Sequence, residues 1–143
     1  MLHAEGIGRR FGTRWLFRHL DLDLGAGDVL VVTGPNGSGK STLLRILAGL
    51  DGPSEGHLTR PKTVGYAGLD LALYPQLTPR EHLEWAAEHR NRPARQADAY
   101  GLPPGERAEG LSSGQRSRLR LALAESHEPD LLLLDEPGVA LDE

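Results

Sequence analysis

The chain has 143 residues, with 16 Lys and Arg against 20 Asp and Glu, six His and no Cys. That length fits one domain, and 38% hydrophobic against 25% charged residues excludes a natively disordered polymer. The missing Cys exclude a disulfide framework, a thiolate metal site and a cysteine nucleophile; the net charge of −4 argues against general nucleic-acid binding, and no aliphatic run approaches a membrane span.

The N-terminus lacks a cationic start followed by an apolar stretch, so no signal peptide is expected. Leu2, Ala4 and Ile7 begin an apolar/polar alternation broken by Gly6 and Gly8. Leu20, Leu22 and Leu24 alternate with Asp21 and Asp23, the pattern of a half-buried strand. Val29 to Thr33 is a β-branched run that reads as a strand buried on both faces. Leu43, Leu44, Ile46, Leu47 and Leu50 have helical spacing, stopped by Asp51-Gly52-Pro53. Short strands are expected at 57–59 and 63–66. Thr78-Pro79-Arg80-Glu81 reads as a capped helix start, with a helix running to about His89. Residues 90–110 read as a surface connection with one short helical turn. Ser112 and Ser113 can cap a further helix, broken by Glu128-Pro129-Asp130, and Leu131–Leu134 reads as a second fully buried strand. The order of strand, Gly-rich loop, helix, helical middle and strand predicts an α/β fold with a parallel sheet.

Gly34-Pro35-Asn36-Gly37-Ser38-Gly39-Lys40-Ser41, followed by Thr42, matches G-x-x-x-x-G-K-[ST]. Glycines let successive backbone N–H groups converge on phosphate oxygens, and the following helix aims its positive end at them. In this motif Lys40 reaches the β- and γ-phosphates and the Ser41 hydroxyl ligates Mg²⁺. The bland alternative is a Gly-rich turn that contains Lys-Ser by chance. The motif requires a strand before it and a helix after it, and the pattern supplies both.

Leu131–Leu134 ends in Asp135-Glu136. A buried strand projects such a carboxylate at the sheet edge where open α/β sheets bind ligands. Asp135 is the candidate Mg²⁺ partner, directly or through water, and Glu136 the candidate general base for the water that attacks the γ-phosphate. A helix N-cap pair after a core strand is the alternative.

Leu111-Ser112-Ser113-Gly114-Gln115 precedes an Arg-rich helix. Alone it is a serine cap. Lying between the phosphate loop and Asp135, it resembles the signature of the ATP-binding-cassette (ABC) ATPases, usually LSGGQ. The resemblance implies a P-loop NTPase core with a mostly parallel sheet (residues 1–77 and 128–143) plus a small helical subdomain (78–127). It implies ATP and Mg²⁺ as ligands. Ser112, Gly114 and Gln115 would cap the γ-phosphate held by a second subunit in a head-to-tail dimer. Phe11 would stack on adenine, with a core or turn aromatic as its alternative. Ala140-Leu141-Asp142 resembles the family's D-loop, and Tyr74-Pro75-Gln76-Leu77-Thr78 resembles its entry to the helical subdomain. The function implied is ATP hydrolysis that drives separate transmembrane permease subunits, from the cytoplasmic face, without nucleic acid. The short 78–111 connection leans toward a compact bacterial exporter-type cassette.

Two departures stand out. Leu69 occupies the position of a family glutamine that touches Mg²⁺ and the attacking water; leucine does neither. The chain also stops at Glu143, whereas the family continues through further strands and a switch histidine. All six histidines precede Asp135 and read as surface residues without metal-ligand spacing. The expectation is a partial cassette with an exposed sheet edge. The rival readings are a non-transport ABC ATPase and a hydrolysis-deficient nucleotide-binding module.

Overall fold

The computed structural model describes residues 1–68 and 70–135. The chain forms two compact units, Met1–Val64 and Gly65–Glu143.

The first unit is built on a three-stranded antiparallel sheet of order β2-β1-β3, with β1 at Leu2–Phe11, β2 at Arg14–Leu24 and β3 at Glu55–Thr59. Leu24, Leu22 and Leu20 stand opposite Leu2, Ala4 and Ile7, so the two predicted alternations meet on one buried face. The register shifts between Ala4 and Ile7, where Gly6 interrupts the alternation in sequence. Helix α1 spans Lys40–Ala48 and buries Leu43, Ile46 and Leu47. It ends at Gly49, whose left-handed backbone returns N–H bonds toward Arg45 and Ile46, so Leu50 lies beyond the helix and is exposed.

Val29 to Thr33 departs from expectation. The run forms no strand, and Val29 and Val31 are 87% and 76% exposed. A β-branched sequence becomes a strand only where a neighbour supplies ladder partners. Among the described residues no strand pairs with this one.

β4 (Val64–Ala67), all but its first residue in the second unit, and β5 (Leu131–Leu134) form a two-stranded sheet. Of the four leucines of β5, only Leu133 is buried and the others are half-buried; among the described residues β4 is the one strand that pairs with them. Helix α2 (Pro79–Arg90) opens with the predicted capping box: Glu81 N–H donates to Thr78 Oγ1 at 3.2 Å, and Thr78 N–H donates to Glu81 Oε1 at 3.1 Å. Helix α3 (Ser113–Glu125) is closed by Ser126, ahead of Glu128 with its positive φ.

The 90–110 connection is more than surface. It carries two 3₁₀ turns, Ala97–Tyr100 and Ala108–Gly110. Ala97, Leu102 and Ala108 pack with Leu83 of α2, Leu111, and Leu119 and Ala122 of α3 into one core. The prolines and glycines that gave the segment a loop composition shape the turns; the small apolar residues between them fill the space between two helices. Each buried leucine there contributes about 2 kcal/mol.

Candidate functional site

Helix α1 starts at a residue that cannot cap it with a side chain. Gly39 sits at the N-cap with φ 99°, no side-chain cap bond is made, and the first turn holds no acid. The orphan N–H groups and the positive end of the helix therefore face an exposed loop with neither a side-chain cap nor an acid in the first turn. That is the electrostatic signature of an anion site. Gly34 has φ 155°, and a Cβ there would lie 2.9 Å from Ser38 Oγ. The loop is closed by a turn from Ser38 N–H to the Pro35 carbonyl at 3.2 Å.

Lys40 folds back over this loop. Its Nζ donates to the Gly34 carbonyl at 2.5 Å and to the Pro35 carbonyl at 3.0 Å. An ammonium parked on two neutral carbonyls exchanges them for phosphate oxygens at a gain, because charged acceptors make roughly twice the bond. Ser41 and Thr42 occupy the first turn beside it, Ser41 exposed. Phe17 was not legible as part of this loop: a Cβ on Gly39 would stand 3.3 Å from its ring. In sequence it is one more residue of β2.

Phe11 ends β1 and is 53% exposed. The Arg9 guanidinium covers its ring at 4.9 Å. Next to it in the same sheet, Trp15 lies between Arg10 at 5.4 Å and Arg18 at 4.0 Å, and Arg18 pairs with Glu55 at 2.9 Å. The ring proposed from sequence to stack on adenine thus already carries a guanidinium.

In the second unit Asp135 follows directly on β5, with its N–H donating to the Ala67 carbonyl at 2.8 Å. This puts the carboxylate at the end of a strand, as its sequence position requires. Glu136 and the D-loop candidates Ala140, Leu141 and Asp142 lie outside the described residues, as does Leu69.

Ser112 caps α3. Its hydroxyl oxygen accepts from Gln115 N–H at 3.1 Å, and Gln115 Oε1 accepts from Ser112 N–H at 2.9 Å. The Gln115 oxygen is thus engaged in folding the helix. Ser112 and Ser113 are exposed and Gly114 is buried. The Ser112 O–H remains able to donate outward while its oxygen serves as cap.

One histidine corrects the surface reading. His82 is 5% exposed. Its Nε2 accepts from Tyr74 N–H at 3.0 Å and its Nδ1 lies 2.8 Å from the Thr78 carbonyl, which fixes the proton on Nδ1. His127 is half-buried. Among the described residues no three His, Cys, Asp or Glu cluster in a way that could hold a metal. The hard-oxygen set proposed from sequence, the Ser41 hydroxyl and the Asp135 carboxylate with phosphate oxygens, is of the kind Mg²⁺ takes.

A glycine-rich loop that leads into a helix start with uncapped amides and a lysine defines a nucleotide-phosphate-binding α/β protein. The chain belongs to the ABC transporter family, whose model matches residues 17–139. It is 40% identical to the cytochrome c biogenesis ATP-binding export protein CcmA of Hyphomonas neptunium, over 99% of this chain and 76% of that protein. It is 36% identical to the sulfate/thiosulfate import ATP-binding protein CysA of Thermosynechococcus vestitus, over 96% of this chain and 47% of that one. The chain thus spans about half the length of some curated relatives and three-quarters of others. A dimeric bacterial ABC transporter cassette superimposes with a TM-score of 0.84 at 24% identity, covering 99% of this chain and 76% of that one. A dimeric cassette bound to ADP and Pi gives 0.82 at 23% identity, covering 96% and 74%. The fold is therefore that of an ABC cassette.

Proposed function

We propose that the chain is the ATP-binding subunit of an ABC transporter, hydrolysing Mg-ATP in a head-to-tail dimer to drive separate transmembrane permease subunits. The observation that carries this reading is the uncapped N-terminus of α1 with Lys40 folded onto the Gly34 and Pro35 carbonyls. On binding, the Gly34–Gly39 backbone and Lys40 hold the β- and γ-phosphates, Ser41 and Thr42 N–H groups complete the cradle, and Phe11 offers a ring face to the base. Ser41 and Asp135 would hold Mg²⁺, which supplies charge neutralisation on the transferring phosphoryl group. Glu136 orients and deprotonates the attacking water. Ser112, with the N–H groups of Ser113 and Gly114, closes on the γ-phosphate of the partner copy.

The domain division of this reading, a core of residues 1–77 and 128–143 and a helical subdomain of 78–127, is supported by the Leu83–Leu119 cluster, whose buried members fall within 78–127 while Leu73, before it, packs against them. Among the described residues no helix is long and apolar enough to cross a membrane, so in this reading the membrane path belongs to other chains. The protein would then sit at the cytoplasmic face, held there by the permease, without nucleic acid. The relatives' names include an exporter and importers, and the transported substrate differs among them. Leu69 favours one second reading, a hydrolysis-deficient nucleotide-binding module, because leucine cannot orient water.

Sizing of wild type, Lys40→Ala and Glu136→Gln with and without Mg-ATP tests the proposal. Glu136→Gln should accumulate as an ATP-dependent dimer, and Lys40→Ala should stay monomeric. ATP turnover by Glu136→Gln at the wild-type rate would overturn the role of Glu136. Absence of any ATP-driven dimer would overturn the head-to-tail site.

A further inference from the structure

The segment 70–77, which follows position 69, is strapped down at three of its carbonyls, those of Leu71, Pro75 and Leu77, within the second unit. Leu71 O accepts from Arg120 Nε of α3 at 2.8 Å. Pro75 O accepts from Glu109 N–H at 3.0 Å, and Leu77 O accepts from Ala108 N–H at 2.9 Å. The 108–110 turn is itself gripped by Arg116, whose guanidinium donates to Ala108 O at 3.4 Å and Glu109 O at 3.3 Å. From the other side His82 of α2 accepts Tyr74 N–H. Two arginines one helical turn apart on α3 thus hold the same segment, one directly and one through the turn.

That arrangement is costly. Like charges at i and i+4 on a helix repel. Arg120 is partly buried as well, and burial first, then Arg116, pulls its pKa below the usual arginine value, while Asp70 pushes the other way. A neutral side chain at 120 would avoid both costs. The carbonyl of Leu71 is what the guanidinium gains in exchange. Asp70 in turn accepts from Tyr66 Oη at 2.9 Å, and Leu71 N–H closes a turn onto Gly68 O at 3.1 Å, so the backbone on both sides of position 69 is tied to this anchor. Gly68 has no room for a side chain: a Cβ would lie 2.4 Å from Tyr66 Oη.

We propose that Arg120 is a positioning residue, fixing the 70–77 strap to the signature helix so that the backbone around position 69 moves with Ser112–Gln115. The part that concerns turnover rests on the ATPase reading above. At position 69 the side chain offers no polar group, and Arg120 is the side chain of the signature helix that bonds this strap directly.

The test is residue-resolved amide exchange on wild type, Arg120→Met and Arg120→Lys, with steady-state ATP hydrolysis on the same samples. In Arg120→Met the bonded amides of Leu71, Tyr74 and Leu77 should exchange about tenfold or more faster, since a charge-assisted bond is lost, while those of Arg116 in α3 and Leu43 in α1 hold their rates. Arg120→Lys should recover part of that protection. The kcat should fall several-fold with KM for ATP within about twofold, the pattern of a lost transition-state contribution. Unchanged exchange at the three amides, or a uniform rise that includes Arg116, would overturn the proposal, as would a raised KM with kcat intact. If wild type does not turn over ATP, the ATPase reading fails, and the exchange comparison decides the role of Arg120 by itself. Should Arg120→Met lose its circular dichroism, Arg120→Lys against wild type decides the same question: local loss at the three amides supports the proposal, and none overturns it.

Discussion

The Phe17 ring closes the space beside Gly39, leaving 3.3 Å to where a Cβ would stand, and Gly39 holds φ at 99°. Two independent constraints therefore select glycine at the start of α1. One is backbone conformation, and the other is a neighbour on β2.

Gly39→Ala should lower stability by about 1–2 kcal/mol and weaken nucleotide binding, because an L side chain in this conformation shifts the loop. Phe17→Ala relieves only the steric part. The double variant should therefore remain impaired in ATP affinity, measured by titration. Full recovery in the double variant would show that backbone conformation is irrelevant there.

Ser112 carries two duties that one substitution can separate. Ser112→Ala removes the cap of α3 and should cost about 1 kcal/mol, read as a lowered melting temperature. Ser112→Asp keeps a capping oxygen but sets a negative charge toward the partner's γ-phosphate. It should melt near wild type and fail to form the ATP-driven dimer. A stable Ser112→Asp that still dimerises with ATP would remove the signature assignment.

Tyr100 ties the 3₁₀ turn of Ala97–Tyr100 to the end of α3 by donating to Glu125 at 2.5 Å. Burial, and then the bond to the Glu125 carboxylate, push its pKa up to about 12. The folded value exceeds the unfolded value of 10.0, so the stabilisation is complete below pH 10 and is lost as pH rises from there through about 12. In a spectrophotometric titration a tyrosinate step near 12 should disappear in Tyr100→Phe. That variant should also lose about 1 kcal/mol at pH 7. Ionisation of every tyrosine near 10 would contradict the contact.

The sequence made local features legible where a short-range rule decides them. The capping boxes at Thr78 and Ser112, the phosphate loop with its helix, and the alternation of Leu20, Leu22 and Leu24 all depend on residues a few positions apart. Three other features depend on distant partners. Val29–Thr33 has the composition of a buried strand, but strand formation needs a pairing neighbour that no local pattern specifies. His82 has a polar neighbourhood in sequence, and its burial comes from the fold that brings Tyr74 over it. Phe17 and Arg120 meet Gly39 and Leu71 across separations of 22 and 49 residues, beyond any periodicity. The same distinction holds for the site. Its phosphate half is a contiguous motif, whereas Phe11, Asp135 and Ser112 come from separate elements that no contiguous pattern links.

Calorimetric titration of the chain with Mg-ATP, wild type against Lys40→Ala, reads the phosphate cradle without intermediaries. Wild type should bind saturably, with affinity in Lys40→Ala reduced by at least about 2 kcal/mol, roughly thirty-fold, because the charge on the β- and γ-phosphates loses its ammonium. Equal affinity in the two folded proteins would contradict the assignment of residues 34–42 as the phosphate cradle.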